Sequence, residues 1–240
     1  MKISNISMKY SASDENYALR DVNLMIQPGE KLAVIGANGA GKSTLLLLLC
    51  GVLSPISGEI SIEEIKVEKK NLSTIRQSVG MVFQNPDDQL FMPSIYEDIA
   101  FGLRNYGFSE SEIELKVNSV LNRLGISHLK NRMSHKLSSG EKRLVALAGI
   151  LVMEPFVLLM DEPSAFLDPR ARRRLIEILV DLPHTMIVAT HDLDMALDLC
   201  DRAILLKEGC LYADDTSEKL LHNSSLLKEC DLELPLSLQR

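Results

Sequence analysis

Residues Gly36-Ala37-Asn38-Gly39-Ala40-Gly41-Lys42-Ser43 fit the spacing G-x-x-x-x-G-K-[ST]. Such a loop aims successive backbone N–H groups at one point, where a phosphate can accept several of them at once. Gly36, Gly39 and Gly41 keep side chains out of the way and allow backbone angles that other residues avoid, with Asn38 between them. Lys42 can reach the β- and γ-phosphates, and the Ser43 hydroxyl, followed by Thr44, can ligate Mg²⁺. The chemistry predicted is the binding of a nucleotide by its phosphates.

A second constellation lies about 120 residues on. Five apolar residues, 156–160, close on Asp161-Glu162. A buried strand would deliver both carboxylates to the sheet edge where open α/β sheets bind ligands. Asp161 is then placed to hold Mg²⁺, directly or through water, and Glu162 to polarise an attacking water as general base. An acid beside the metal ligand favours hydrolysis over nucleotide storage. Gln84 follows the apolar residues 81–83 and could contact Mg²⁺ or the water without adding charge. His191 follows residues 187–190 and could hydrogen-bond a γ-phosphate. Taken alone, a strand-end glutamine is usually just solvated, and a single histidine at a strand end is as much at home on the surface as at a phosphate. His128, His135, His184 and His222 form no ligand cluster with His191.

These groups need elements to hold them. Residues 31–35 read as a buried strand and 43–52, with five leucines in succession, as a helix, so the glycine loop lies at a helix N-terminus and its positive dipole end. Strands are expected at 2–8 and 20–26 around a loop with Asp14-Glu15-Asn16, at 59–67 after a turn at 54–58, and at 79–84. Residues 90–150 change character toward helix: Ser109 and Glu112 form a capping box, Ile113, Val117, Val120, Leu121 and Leu124 share one face, and Gly125 ends the helix. Strand and helix then alternate, with strands at 156–160, 185–190 and 202–206 and helices at 170–180 and 193–200. That alternation indicates a parallel sheet covered on both faces, with the helical middle inserted into it. The expected divisions of a single domain are an α/β core (about 1–90 and 155–215), a helical subdomain (about 91–154) and a docked or partly mobile tail (216–240).

Composition narrows the partners. A net charge of −7 gives no electrostatic reason to expect nucleic acid. The one dense basic run, Arg170 to Arg174, lies on a predicted helix and reads as a solvated face or partner contact. Cys50, Cys200, Cys210 and Cys230 show no C-x-x-C pair and read as small apolar residues in a reducing compartment. No signal peptide is visible, and the longest apolar run, 45–53, is far short of the ~20 residues of a membrane span.

Leu137-Ser138-Ser139-Gly140-Glu141, followed by Lys142-Arg143-Leu144-Val145-Ala146, resembles the L-S-G-G-Q signature of ATP-binding-cassette (ABC) ATPases. With the phosphate loop, Gln84, Asp161-Glu162, the segment Ser164-Ala165-Phe166-Leu167-Asp168 and His191, all elements of that family appear in order over residues 1–215. The resemblance implies an α/β P-loop NTPase fold, the ABC ATP-binding cassette, with a RecA-like core sheet and an inserted α-helical subdomain. It implies a head-to-tail dimer holding two ATP molecules with Mg²⁺, each between the phosphate loop of one subunit and Ser138, Ser139, Gly140 and Glu141 of the other, with Leu167 and Asp168 in a loop touching the second subunit. Tyr10 sits where the family stacks an aromatic ring on adenine; a strand residue packed on the sheet is the other reading. Ser139, Glu141 and Phe166 depart from the usual Gly, Gln and small residue, and none removes a charged catalytic group.

A narrower resemblance lies in Phe83-Gln84-Asn85-Pro86-Asp87-Asp88-Gln89-Leu90-Phe91, Tyr96-Glu97-Asp98-Ile99-Ala100-Phe101-Gly102 and the tail Leu232-Glu233-Leu234-Pro235-Leu236. These are similar to the ATPase of energy-coupling-factor importers, particularly the cobalt and nickel type. It implies that residues 84–104 grip an integral-membrane subunit, that the protein works at the cytoplasmic face of the membrane, and that the cargo is a transition-metal ion or vitamin. A cassette ATPase acting on the ribosome or on DNA is the alternative; the negative charge and the lack of a heptad run between the motifs count against it. A simple phosphoryl-transfer kinase would leave the signature segment without a role.

Overall fold

The computed structural model describes residues 1–11 and 15–239; Asp14 of the expected acidic loop lies outside them. In chain order the elements are β1 (Lys2–Met8), β2 (Leu19–Met25), β3 (Lys31–Ile35), α1 (Lys42–Leu49), β4 (Ser57–Ile62), β5 (Ile65–Lys66), α2 (Leu72–Ser78) and β6 (Val79–Val82). Then come α3 (Ile95–Asn105), α4 (Glu110–Arg123), α5 (Ser139–Leu151), β7 (Val157–Asp161), α6 (Pro169–Val180), β8 (Thr185–Ala189) and α7 (Leu193–Leu199). The chain continues through β9 (Arg202–Lys207), β10 (Cys210–Thr216), α8 (Ser217–Leu221) and α9 (Ser224–Glu229).

Two sheets form. The larger has the order β10-β9-β3-β8-β7-β6, with five parallel strands and β10 antiparallel at the edge. Its strands read as apolar runs because both faces are covered. Along β3, Leu32 and Val34 join one core with α1, whereas Ala33 and Ile35 join the other with the helices of the middle segment. In β7 the same alternation sends Leu159 one way and Leu158 and Met160 the other.

The second sheet, β2-β1-β4-β5, is antiparallel and lies over α1 in the first of those cores. Alternation along the chain predicts only the parallel sheet, because an antiparallel ribbon with register shifts at Asn5 and Asp21 leaves no clean period. The expected strand over 59–67 is broken at Glu63, whose positive φ of 53° makes the turn between β4 and β5. The helix α2, the helix α3 and the edge strand β10 are additions to the elements read from sequence. The α4 capping box is present, with Gly125 at φ 66° after it.

Only helices and short turns lie between β6 and β7. The tail is docked: Leu220, Leu221, Leu227 and Cys230 are buried, and Asp194 accepts the Leu236 and Ser237 N–H groups at 2.9 and 3.0 Å. Among the described residues no helix is long and apolar enough to cross a membrane. Two of the four arginines in the basic run are committed within the chain. Arg172 forms a two-pronged pair with Asp192 (2.6 and 2.8 Å), and Arg174 donates to the Leu124 and Gly125 carbonyls.

Candidate functional site

Parallel strands end on the same side. The C-terminal ends of β3, β6, β7 and β8 carry, respectively, the glycine loop, Gln84, Asp161-Glu162 and His191. Residues scattered over more than 150 positions of sequence thus meet at one sheet edge. A cleft of about 710 Å³ lies there, lined by Tyr10, residues 36–44, Gln84, Glu162 and His191, with Ala18, Asp231 and Leu232 completing its wall.

The loop is shaped by contact as well as by backbone angle. A Cβ on Gly36 would lie 2.4 Å from the Leu206 carbonyl, and Gly41 (φ 102°) would place one 2.5 Å from that of Ala18. Gly41 begins α1 without a side-chain cap, so the first-turn N–H groups remain available to an anion. Lys42 is buried and its ammonium donates to the carbonyls of Gly36 (2.7 Å) and Ala37 (3.2 Å). Burial lowers its pKa, while the neighbouring Glu162 and Asp161 carboxylates act in the opposite sense.

Asp161 is buried, and one of its carboxylate oxygens, Oδ1, has no hydrogen-bond partner. Burial raises its pKa, opposed by a hydrogen bond from the Ser43 side chain. An orphaned buried carboxylate oxygen next to a serine hydroxyl is a hard-oxygen donor set that fits Mg²⁺. No cluster of three or more His, Cys, Asp or Glu side chains suited to a metal occurs among the described residues; phosphate oxygens and water would have to complete such a shell, which is how Mg²⁺ is commonly held.

Glu162 has a left-handed backbone (φ 45°), an uncommon state for a residue with a side chain. Its Oε2 accepts from the Thr190 hydroxyl (3.2 Å) and the His191 N–H (3.1 Å), and lies 2.7 Å from His191 Nδ1. The acid and the histidine are therefore one unit. Tyr10 lies beyond the end of β1, exposed, with its hydroxyl 2.8 Å from Thr44 Oγ1. It is not packed on the sheet, which disposes of the second reading of that residue. The Gln84 side chain and Asn38 are exposed at the cleft.

Arg143 was not singled out by sequence. It is 2% exposed and donates to the carbonyls of Phe83 (2.6 Å) and Gln84 (2.7 Å), so it ties α5 to the backbone that carries Gln84. Desolvation lowers its pKa to about 10, and Asp161 acts to raise it. In sequence it follows Glu141 and Lys142 and precedes the apolar residues 144–148, so nothing in the residue types marks it as buried.

Ser138, Ser139, Gly140 and Glu141 lie elsewhere. None lines the cleft; Ser138, Gly140 and Glu141 face a separate groove with Asp168 and Arg170. Ser138 is the N-cap of α5. Asp168 caps α6 by accepting the Arg170 and Ala171 N–H groups, both at 2.9 Å. Leu167 and the exposed Phe166 (φ 63°) precede it beside His191.

Residues 19–165, well over half the chain, match the sequence model of the ABC transporter family. The chain belongs to that family. This ABC protein is 43% identical over 233 residues to the energy-coupling factor transporter ATP-binding protein EcfA of Methanothermobacter thermautotrophicus, covering 95% of this chain and 75% of EcfA. Among solved structures it resembles cbiO1 from Clostridium perfringens, described as part of the ABC transporter complex cbiONQ, with 39% identity, a TM-score of 0.84 and coverage of 95% and 92% of the two chains. It also resembles a dimeric ATP-binding cassette in a post-hydrolysis state with ADP and phosphate bound, with 28% identity, a TM-score of 0.81 and coverage of 90% and 98%. The ABC protein is an ATPase subunit of a transporter, similar to the EcfA and cbiO proteins.

Proposed function

We propose that this ABC ATPase powers an energy-coupling-factor type importer of a transition-metal ion such as cobalt or nickel, or of a vitamin, from the cytoplasmic face of the membrane. One observation carries the reading. The phosphate loop, Gln84, Glu162 and His191 line one cleft, with Asp161 hydrogen-bonded to Ser43 of the loop, whereas Ser138, Gly140 and Glu141 face a different groove of the same chain. A signature segment outside its own cleft is half of a site that a second cassette completes. That partner is a second copy or a related chain, and two ATP molecules lie between the pair.

In this scheme Lys42 exchanges the Gly36 and Ala37 carbonyls for phosphate oxygens, and the free N–H groups at the start of α1 hold the remainder. The Tyr10 ring stacks on the adenine. Ser43, Asp161 and Gln84 would hold Mg²⁺, which supplies positive charge against the phosphates. Glu162, fixed by Thr190 and His191, accepts a proton from water as the water oxygen bonds to the γ-phosphorus and the bond to the bridging oxygen breaks. His191 orients Glu162 and faces the γ-phosphate. Leu167 and Asp168 meet the second cassette. Residues 91–154 move as the unit that carries the signature, and the surface at 84–104 engages the membrane subunits, so that closure on ATP is transmitted and hydrolysis resets it.

The test is co-purification of tagged protein from its native membranes in mild detergent, with mass spectrometry of its companions. Recovery of a transmembrane scaffold with a substrate-capture protein is expected, and the ligand of the latter names the cargo. Recovery of ribosomal or DNA-bound partners alone would overturn the importer reading.

A further inference from the structure

The groove at the start of α5 already holds an anion of the chain's own. The Ser138 N–H and hydroxyl donate to Glu141 Oε2 at 2.8 and 2.9 Å, and the Glu141 N–H donates back to Ser138 Oγ at 3.3 Å. The result is a closed capping box at the N-terminus of a 13-residue helix. The same serine hydroxyl, on the same helix end, is a donor that the sandwich reading reserves for the γ-phosphate of a second cassette. One hydroxyl proton cannot serve both acceptors at once.

The charge matters as well as the bond. Hydrogen bonding from the Ser138 backbone, with smaller help from its hydroxyl, Arg132 and His128, outweighs slight burial and holds the Glu141 carboxyl below the usual range. It is therefore ionised at neutral pH. An incoming phosphate then meets a like charge within a few ångströms, where repulsion costs on the order of 1 kcal/mol even in a water-like dielectric.

We propose that Glu141 is an internal counter-anion of the signature segment: its carboxylate occupies Ser138 in the resting cassette and opposes the γ-phosphate brought by the second cassette, raising the ATP concentration needed for closure. The proposal rests on the sandwich reading above. It makes residue 141 a determinant of the nucleotide threshold. Two such sites close together in a dimer, so the penalty counts twice. The groove beside the segment carries Arg170 and Arg173, which can receive the carboxylate once a phosphate displaces it.

Charge and cap can be separated. A glutamine at position 141 keeps an acceptor for the Ser138 N–H and removes the charge. The experiment compares Glu162→Gln with Glu162→Gln/Glu141→Gln by light scattering across an ATP titration, in about 0.1 M and about 1 M salt, where screening shortens the reach of charge. The double variant should dimerise at roughly fivefold lower ATP in low salt, and the gap should narrow in high salt. A purely structural cap would show no such salt dependence. If Glu162→Gln dimerises and the added Glu141→Gln leaves the midpoint unchanged or raises it, this inference falls alone. If Glu162→Gln stays monomeric at saturating ATP, the sandwich reading falls and this inference with it.

Discussion

The phosphate-loop cleft and the signature groove are both built around a helix N-terminus, yet they are finished to different degrees. At α1 the cap is a glycine with no side-chain bond, the lysine is buried, and acid, histidine and tyrosine converge on the same space. At α5 the end is closed by the chain's own serine and glutamate, and no catalytic group lies beside it. An open helix end amid converging groups is ready for a ligand, whereas a self-capped one waits for a competitor. The first region should tolerate change poorly in the isolated chain. The second should reveal its importance only when two cassettes meet.

The largest expected effect tests the first region. Lys42→Ala removes the lysine that the cleft places at the loop, and ATP affinity by calorimetry should fall at least about 100-fold; unchanged binding would remove the distinction between the two regions. Glu162→Gln should keep nucleotide binding and lower turnover about 10²- to 10⁴-fold, read by phosphate release.

Gly140 sharpens the contrast. A Cβ there would lie 2.9 Å from the Ala171 Cβ, so Gly140→Ala strains the chain itself as well as any interface. Pairing it with Ala171→Gly relieves the internal clash. The pair should then bind ATP normally yet fail to dimerise in the Glu162→Gln background, and dimerisation at the parent's ATP midpoint would show that the groove does not meet a second cassette.

Arg143→Leu links the regions, because this arginine joins α5 to the Gln84 backbone. It leaves two carbonyls without their partner and should lower unfolding stability by about 2–4 kcal/mol, with turnover reduced more than ATP affinity. The smallest effect belongs to Tyr10→Phe. The lost bond to Thr44 is worth about 0.5–1 kcal/mol, and with the ring retained ATP affinity should change by about twofold or less.

The chemistry-bearing residues of the first region were legible because each is announced locally. A glycine-spaced loop, an apolar strand closing on two acids and a strand-end glutamine or histidine all occupy a few consecutive positions. Arg143 was not legible, because its partners lie 59 and 60 residues away and are backbone carbonyls, which leave no trace in residue type. The capping box of Ser138 and Glu141 has the same S-x-x-E spacing as Ser109 and Glu112, but it lies inside a motif whose other meaning claimed the residues first. The strands at 2–8, 20–26 and 59–67 were read but their pairing into an antiparallel sheet was not, and β10 was missed, because register shifts along these strands blur the two-residue period that would mark a shared face.

By itself the sequence determined the phosphate loop, the carboxylate pair, the alternation of apolar strands and helices, and hence a nucleotide-binding α/β domain. These are consequences of local backbone geometry and of side-chain periods that a linear chain can display. Tertiary structure alone decided that β3, β8, β7 and β6 are neighbours in that order, that Glu162 and His191 act as one unit, and that the signature lines a groove separate from the cleft its own chain builds. Those facts depend on which strands are neighbours in space, and strand order is set by packing two hydrophobic cores on opposite faces of one sheet.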